Sequence, residues 1–384
     1  MSKKLLTLAL VLLSAGLLIS CGGGHSAIES MQVDRSALVG TVPFSAPFIY
    51  QKEGNLVGPE AVLAENIVAR VDETRETKGG SPVRLTWINR THATLFDAVK
   101  NGDVHMALGA FGKTEERSEE VLFSDSYYTM DLVMAVNPVN ADLTPADLAN
   151  AEIGVREGSA VEAFVTENYP SATISPYGTI DDVVLALRAG EIDTIVDGKE
   201  MIAYDLTTIP GAGHMDFFPE SLGSIDIAVA VRNGDTQLIE LINDVIAESM
   251  GDFDSALAEH LGGRVEQVVK QREDRLYRQA QAKKPRQVTI RVSRVQGYRG
   301  VDIYRMANLR FVARNRETGE TTNSSPIQFS GSTGITRVTV PPGTYALSLP
   351  QFNFNTELII VPEDPDSVNV RITIGPSGVT MEKD

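Results

Sequence analysis

The 384-residue chain contains one cysteine and one tryptophan. A lone thiol excludes a disulfide framework and any metal site built on several cysteines. The composition lacks both the polar excess of a disordered chain and the apolar excess of a polytopic membrane protein: hydrophobic residues make up 42% and charged residues 22%. Basic charge is scarce where a nucleic-acid surface would need it. Residues 21–262 carry 14 basic and 39 acidic side chains, a net −25. Such a surface repels a phosphate backbone, which excludes nucleic acid as a partner. Compact histidine spacings are missing too. His25, His92, His105, His214 and His260 form no HExxH-like set, and no GxSxG occurs, so metal and hydrolase chemistry have no motif and no cofactor is expected. The length suffices for two or three domains.

Lys3 and Lys4 precede an apolar run from Leu5 to Ile19. That is a charged stretch followed by an apolar one, too short for a stable membrane span. It ends Leu18-Ile19-Ser20-Cys21, which resembles the bacterial lipoprotein box; an ordinary signal peptide with a chance cysteine is the alternative. The resemblance implies that residues 1–20 are a cleaved leader, that Cys21 carries lipid, and that residues 21–36 form a tether. It places the chain in a bacterial cell envelope, anchored on the periplasmic or extracellular face. Gly22, in place of Asp, favours the outer membrane by similarity to Gram-negative sorting.

From Ser36 the pattern alternates strand and helix. Leu38–Val42 reads as a buried strand, and Val62–Val71 is apolar at helical spacing. Val83, Leu85 and Trp87 alternate as a strand does. Thr94–Lys100 is an amphipathic helix closed by Asn101-Gly102, and Val104–Leu108 is a strand. A second set follows: helix Leu143–Ala149, strand Glu152–Val155, helix Ala160–Glu167, helix Ile180–Ala189, strand Asp193–Val196, strand Ile225–Val231 and helix Thr236–Met250. This order predicts α/β architecture with largely parallel sheets.

Residues 263–285 carry a net +4 and read as a charged helical linker. From Val288 the apolar period becomes two, with turns at Pro341-Pro342-Gly343 and Pro362-Glu363-Asp364-Pro365. About seven short strands over 286–384 fit a β-sandwich. Pro341-Pro342-Gly343-Thr344-Tyr345 resembles the turn-and-strand motif of transthyretin-like and carboxypeptidase-regulatory-like domains.

Several segments recur in one order: Asn55-Leu56-Val57-Gly58, Leu95 to Val104, Thr114-Glu115-Glu116-Arg117, Phe123 to Tyr128, Val155-Arg156-Glu157-Gly158-Ser159, Ala189 to Asp193, and Ile227 to Asp235. Together they resemble the family 3 extracellular solute-binding proteins, typified by amino-acid receptors of ABC importers, over roughly residues 37–262. The resemblance implies a two-lobe periplasmic-binding-protein type II fold with a discontinuous first lobe: residues 37–132 with 228–262 in lobe one, and 133–227 in lobe two. A small polar, amino-acid-like ligand would be gripped between them and passed to a permease or reported to a sensing partner.

By that resemblance Arg117 takes the ligand's carboxylate, a role suited to a planar guanidinium. An ordinary surface Arg paired with Glu116 or Glu120 is the alternative. Gly158 and Ser159 form a turn whose N–H groups hold the other carboxylate oxygen, or else Ser159 is a plain helix cap. Asp197 is the candidate for the ligand ammonium, at a spacing one residue shorter than the family's. Phe44 is the candidate apolar face, against simple packing. Two departures stand out. Gly112 replaces a hydroxyl residue that helps hold the carboxylate, and Val42 replaces an acid that reads the side chain in many receptors.

Ala107–Thr114 matches a relaxed P-loop pattern, but Glu115, Glu116, Glu119 and Glu120 would repel a triphosphate. The acidic surface mildly favours neutral or cationic ligands. A second reading makes the chain an envelope interaction lipoprotein whose β-sandwich binds a protein, glycan or cell-wall partner. A third, enzymatic reading would need an acid or base in the cleft, for which Asp197 and Glu200 are the candidates.

Overall fold

Strand β1 (Ser36–Thr41) is central to the first sheet because Ala37, Val39, Gly40 and Thr41 are buried. It pairs in parallel with β5 (Arg84–Asn89) and β6 (Met106–Ala107). The antiparallel β13 (Ala230–Arg232) and then β7 (Val121–Phe123) complete the order β5-β1-β6-β13-β7. A small hairpin sheet, β2 (Phe44–Ser45), β3 (Ile49–Lys52) and β4 (Asn55–Val57), follows β1. The computed structural model describes residues 26–76, 79–137, 140, 143–296, 299 and 302–384. The chain divides into two compact units, the first ending at Lys270 and the second spanning Gln271–Asp384.

Helix α2 (Pro59–Glu73) starts with proline at its first position, where the missing N–H is no loss, and buries Leu63, Ile67 and Val71 on one face. Helix α3 (His92–Asn101) is opened by a Thr91–Thr94 capping box and closed by left-handed Gly102. Helix α8 (Thr236–Leu261) runs eleven residues past its expected end at Met250. Gly251 does not stop it, because Phe253 and Leu257 carry the buried stripe onward.

The second sheet has the order β10-β9-β11-β8-β12. Strand β9 (Glu152–Arg156) lies parallel between β10 (Thr173–Tyr177) and β11 (Thr194–Gly198); β8 (Tyr128–Val136) and β12 (Asp216–Ile227) extend it antiparallel. Helices α5 (Ala160–Asn168), α6 (Ile180–Ala189) and α7 (Lys199–Thr208) accompany it. The chain crosses between sheets twice, side by side. Ser124 N donates to Val229 O at 2.9 Å, Val229 N to Ser124 Oγ at 3.0 Å and Tyr127 N to Ile227 O at 3.1 Å. The first crossing therefore falls at 124–128, not at 132/133, since β8 pairs with β12 from Tyr128 onward. The expected single strand Ile225–Val231 is likewise split at Ala228–Val229, where the chain changes sheets.

The expected tether is also shorter than residues 21–36. Ala27–Asp34 form helix α1, with a Ser26–Glu29 capping box and with Ala27 and Met31 buried in the lobe-one core. Cys21 and the leader lie outside the described residues. The expected helix Leu143–Ala149 is a 3-10 turn at Pro145–Asn150.

The second unit opens with the end of helix α9 (Arg264–Lys283) and continues into two sheets. The strands are β14 (Arg286–Arg294), β15 (Val312–Asn315), β16 (Thr321–Asn323), β17 (Gln328–Ser330), β18 (Thr333–Val340), β19 (Gly343–Leu349), β20 (Phe354–Ile360), β21 (Ser367–Gly375) and β22 (Gly378–Lys383), in the orders β17-β18-β14-β21-β22 and β16-β15-β19-β20. Val288, Ile290, Val338, Leu347, Leu358 and Val370 alternate into one shared core, the packing a β-sandwich requires. Tyr345, in the Pro-Pro-Gly-Thr-Tyr motif, donates its hydroxyl to Pro341 O at 2.8 Å.

Glu60 ties α2 to the crossing. Its Oε1 accepts from Tyr127 Oη at 2.6 Å and from Ala110 N at 2.8 Å. The P-loop-like segment thus directs an N–H at a carboxylate, not at a phosphate. Glu60 is fully buried, and its Oε2 has no partner among the described residues. Burial pushes its pKa up to about 7, against the opposing hydrogen bonds. A raised carboxyl pKa gives stability that is complete below the unfolded value and is lost as pH rises through the folded one. Glu60 therefore costs on the order of 3 kcal/mol between about pH 4.5 and pH 7. We expect Glu60→Gln to gain on the wild type by that order at pH 8 relative to pH 5. Denaturant unfolding at both pH values checks this; an equal difference at the two contradicts it.

Candidate functional site

A cavity of about 580 Å³ opens between the lobes. His92, Ala93 and Phe96 of α3, with Thr114, Glu116 and Arg117, line it from lobe one; Gly158, Ser159, Glu162 and Glu167 line it from lobe two. Arg117 lies on helix α4 (Glu115–Glu120), whose cap, Thr114, accepts from Arg117 N through its hydroxyl. The guanidinium rests over Phe111 with 4.5 Å to the ring centroid, and Phe96 lies at 5.9 Å. Nη1 donates to Gly112 O and Nη2 to Gly158 O, each at 2.7 Å. Arg117 is thus half-buried at the inter-lobe gap, hydrogen-bonded to a carbonyl of either lobe rather than to Glu116 or Glu120. Burial lowers its pKa to about 10, so it stays cationic at neutral pH.

Both sequence-marked glycines sit where the lobes touch. A Cβ on Gly158 (φ +68°) would come within 2.6 Å of Ala93 N and Cα; one on Gly112 would come within 2.4 Å of Ala160 Cβ. A hydroxyl residue at 112 has no room in this packing. At the turn, Gly158 N donates to Glu162 Oε2 at 2.6 Å, and Ser159 Oγ accepts from Glu162 N at 3.1 Å. Ser159 is therefore the helix cap, and the carboxylate at this N-terminus belongs to Glu162.

Two candidates need correction. Asp197 is 2% exposed and bound by Arg156: Nε to Oδ2 and Nη2 to Oδ1, both at 2.9 Å. Gly198 N adds a third bond at 2.8 Å. Its charge is already neutralised inside lobe two, so it is no free acceptor for an ammonium. Phe44 is 60% exposed on β2 and does not line the cavity; the aromatic face beneath the guanidinium is Phe111. Glu200 is buried at the start of α7, where burial raises its pKa and Tyr128 donates to it.

The sequence reading missed His92, Phe96, Phe111 and Arg156. His92 is buried, and burial with the Arg156 and Arg117 charges pushes its pKa well below the usual imidazole range. It stays neutral. The signal for Arg156 was present: two opposite charges close two apolar strands, and parallel neighbours bring such ends together.

Residues 38–263 match the sequence profile of the bacterial extracellular solute-binding proteins, family 3. The chain belongs to this family. As a family 3 member it is 26% identical over 255 residues to a probable histidine-binding protein of Campylobacter jejuni, spanning 65% of this chain and 94% of that one. It is 25% identical over 250 residues to the histidine-binding periplasmic protein of Salmonella typhimurium, spanning 62% and 91%. Among solved structures it resembles a P235GK mutant of ArgBP from T. maritima, with TM-score 0.54 and 25% identity over 62% of this chain and 99% of that one. The ancestral amino-acid-binding protein AncCDT-1, a precursor of cyclohexadienyl dehydratase, shares the fold with TM-score 0.53 and 21% identity over 61% and 98%. The two-lobe type II architecture is common to these family 3 neighbours, and the sandwich unit falls beyond the matched segment.

Proposed function

We propose that the protein binds a free amino acid or a close analogue in the inter-lobe cleft and delivers it to an ABC permease. The observation that carries this reading is the placement of Arg117: a half-buried cation at a cavity lined by both lobes, its guanidinium hydrogen-bonded, among the described residues, to carbonyl groups. Two of its five N–H donors are engaged there, which leaves others for a carboxylate. The amino-acid-binding names of its relatives support the ligand class, and the periplasmic placement of one supports an extracytoplasmic site. Cys21 would anchor the chain by lipid, on the outer membrane by the Gly22 criterion. No covalent step is part of this function.

A thermal-shift screen of the full-length chain against the common L-amino acids tests it. A ligand at about a hundredfold over its Kd adds about 2.7 kcal/mol, which corresponds to a rise of about 5–10 °C for a unit of this size. No shift with any amino acid would sink the reading. The second reading, an envelope partner held by the β-sandwich, would then take precedence. It is favoured by the separate core of that unit, which lies beyond the family segment.

A further inference from the structure

Helix α8 belongs to lobe one down to its last turn. Its Glu248 pairs with Arg70 of α2 at 2.5 Å, and Nδ1 of its His260 lies 2.9 Å from Tyr50 Oη of β3. The next helix packs elsewhere. Val265, Val268 and Val269 of α9, spaced i, i+3 and i+4 on one face, join the lobe-two core that holds Ile202 and Leu206 of α7 and Phe217 of β12. Val268 is 3% exposed and is the buried side chain of an otherwise polar helix. The chain therefore passes between lobes a third time, at Gly262-Gly263. Their φ angles, +57° and +71°, lie in the left-handed region that glycine adopts without strain. Arg264 sits at this joint. Its Nη1 donates to Leu261 O at 2.7 Å and to His260 O at 3.2 Å, which caps open carbonyls of α8. The same guanidinium lies over the Tyr204 ring of lobe two, 4.9 Å from its centroid. Tyr50 of lobe one meets that ring too, with 5.3 Å between centroids.

We infer that α9 is an output lever: it travels with lobe two while α8 stays with lobe one, so that closure of the cleft on a ligand changes the angle between the two helices. The inference rests on the closing cleft proposed above and adds to it a reporting role beside delivery. Two lobes that move as rigid bodies carry with them whatever is packed on each. Helix α9 is held to lobe two by an apolar stripe and joined to lobe one by two glycines, so its firm attachment is on one side and its soft one on the other. The Tyr50, Tyr204 and Arg264 contacts gather at the joint and make it the pivot. The family segment ends at residue 263, and α9 begins at Arg264. The lever is thus an addition to the binding module, and it passes the state of the cleft to the chain that α9 leads into.

Spin-label distances in the full-length chain, with Cys21→Ser to leave no other thiol, test this. Lys270→Cys on α9 is paired in turn with Asp103→Cys of lobe one and Ser171→Cys of lobe two, all exposed positions. The titrant is the L-amino acid that gives the largest thermal shift. The expected result is a lobe-one-to-α9 distance that shifts as ligand saturates, and a lobe-two-to-α9 distance that keeps its mean and width. Val268→Asp should broaden the lobe-two-to-α9 distribution and abolish the ligand-dependent shift, while calorimetry still records binding. Val265→Ser/Val269→Ser, at half-buried positions, should do the same if Val268→Asp fails to fold. A lobe-two-to-α9 distance that shifts while the lobe-one-to-α9 distance holds overturns the lever and leaves the amino-acid reading standing. Two distances that both stay fixed while calorimetry records binding also overturn it. Should no amino acid bind, the amino-acid reading falls and the unliganded protein decides the packing on which the lever depends: a lobe-two-to-α9 distribution that is narrow and is broadened by the valine variants supports it, and one that is broad, or indifferent to them, overturns it.

Discussion

Replacing Arg117 by alanine is expected to weaken amino-acid binding at least a hundredfold while the protein stays folded. The magnitude follows from the bond type. Hydrogen bonds to charged groups contribute about 1.5–3 kcal/mol each, and a carboxylate can accept two from one guanidinium. Two such bonds correspond to roughly a hundredfold or more, since 1.4 kcal/mol is a factor of ten. Stability should change little, because the residue lies on the six-residue helix α4, none of whose residues is buried. The loss of its bonds to Gly112 O and Gly158 O frees the lobes from a direct tie. Arg117→Lys should recover only part of the affinity, because an ammonium cannot match both carboxylate oxygens in a plane. Calorimetric Kd values for the two variants, with circular dichroism melts as the fold control, check this. Unchanged affinity in Arg117→Ala assigns the carboxylate to another group.

The largest stability effect is expected at Asp197. Asp197→Ala leaves Arg156 buried without its hydrogen-bonded carboxylate, and breaking such a pair costs about 3–5 kcal/mol. For a unit of this size that lowers the melting temperature by on the order of 10 °C. The double variant Arg156→Met/Asp197→Leu should regain most of it, since apolar replacement of a buried pair is often near neutral. Melts of wild type, single and double variant decide. A double variant no more stable than Asp197→Ala would mean that the pair contributes packing that Met and Leu do not replace.

The reach of the sequence differs from place to place. The helical repeat of Val62–Val71 and the glycine closures at Gly102 and Gly190 are local signals, and α2, α3 and α6 form where they predict. The first passage was misplaced because the sheet changes at 124–128, ahead of the buried run Leu132–Val136, and on the return Ile227–Val231 is buried throughout, so hydropathy does not mark the change of sheet. Only the pairing of Ser124 with Val229 reveals the crossing. The placement of Arg117 was legible through the resemblance carried by Thr114-Glu115-Glu116-Arg117, a segment in which the Thr114 hydroxyl caps the helix by accepting from Arg117 N. Asp197 was misread for a long-range reason: its partner lies 41 residues away on a neighbouring strand. His92 carried no local mark, since a histidine opening a helix is commonplace.

The central claim is that two lobes close on a guest held at Arg117. Its most direct test is a spin-label distance between Asp103→Cys in lobe one and Ser171→Cys in lobe two, both exposed positions, measured by double electron–electron resonance while the L-amino acid that gives the largest thermal shift is titrated. The account predicts a broad distribution that narrows and shortens as ligand saturates, with no such change in Arg117→Ala. An inter-lobe distance that stays the same while calorimetry records binding would place the ligand elsewhere and contradict the account.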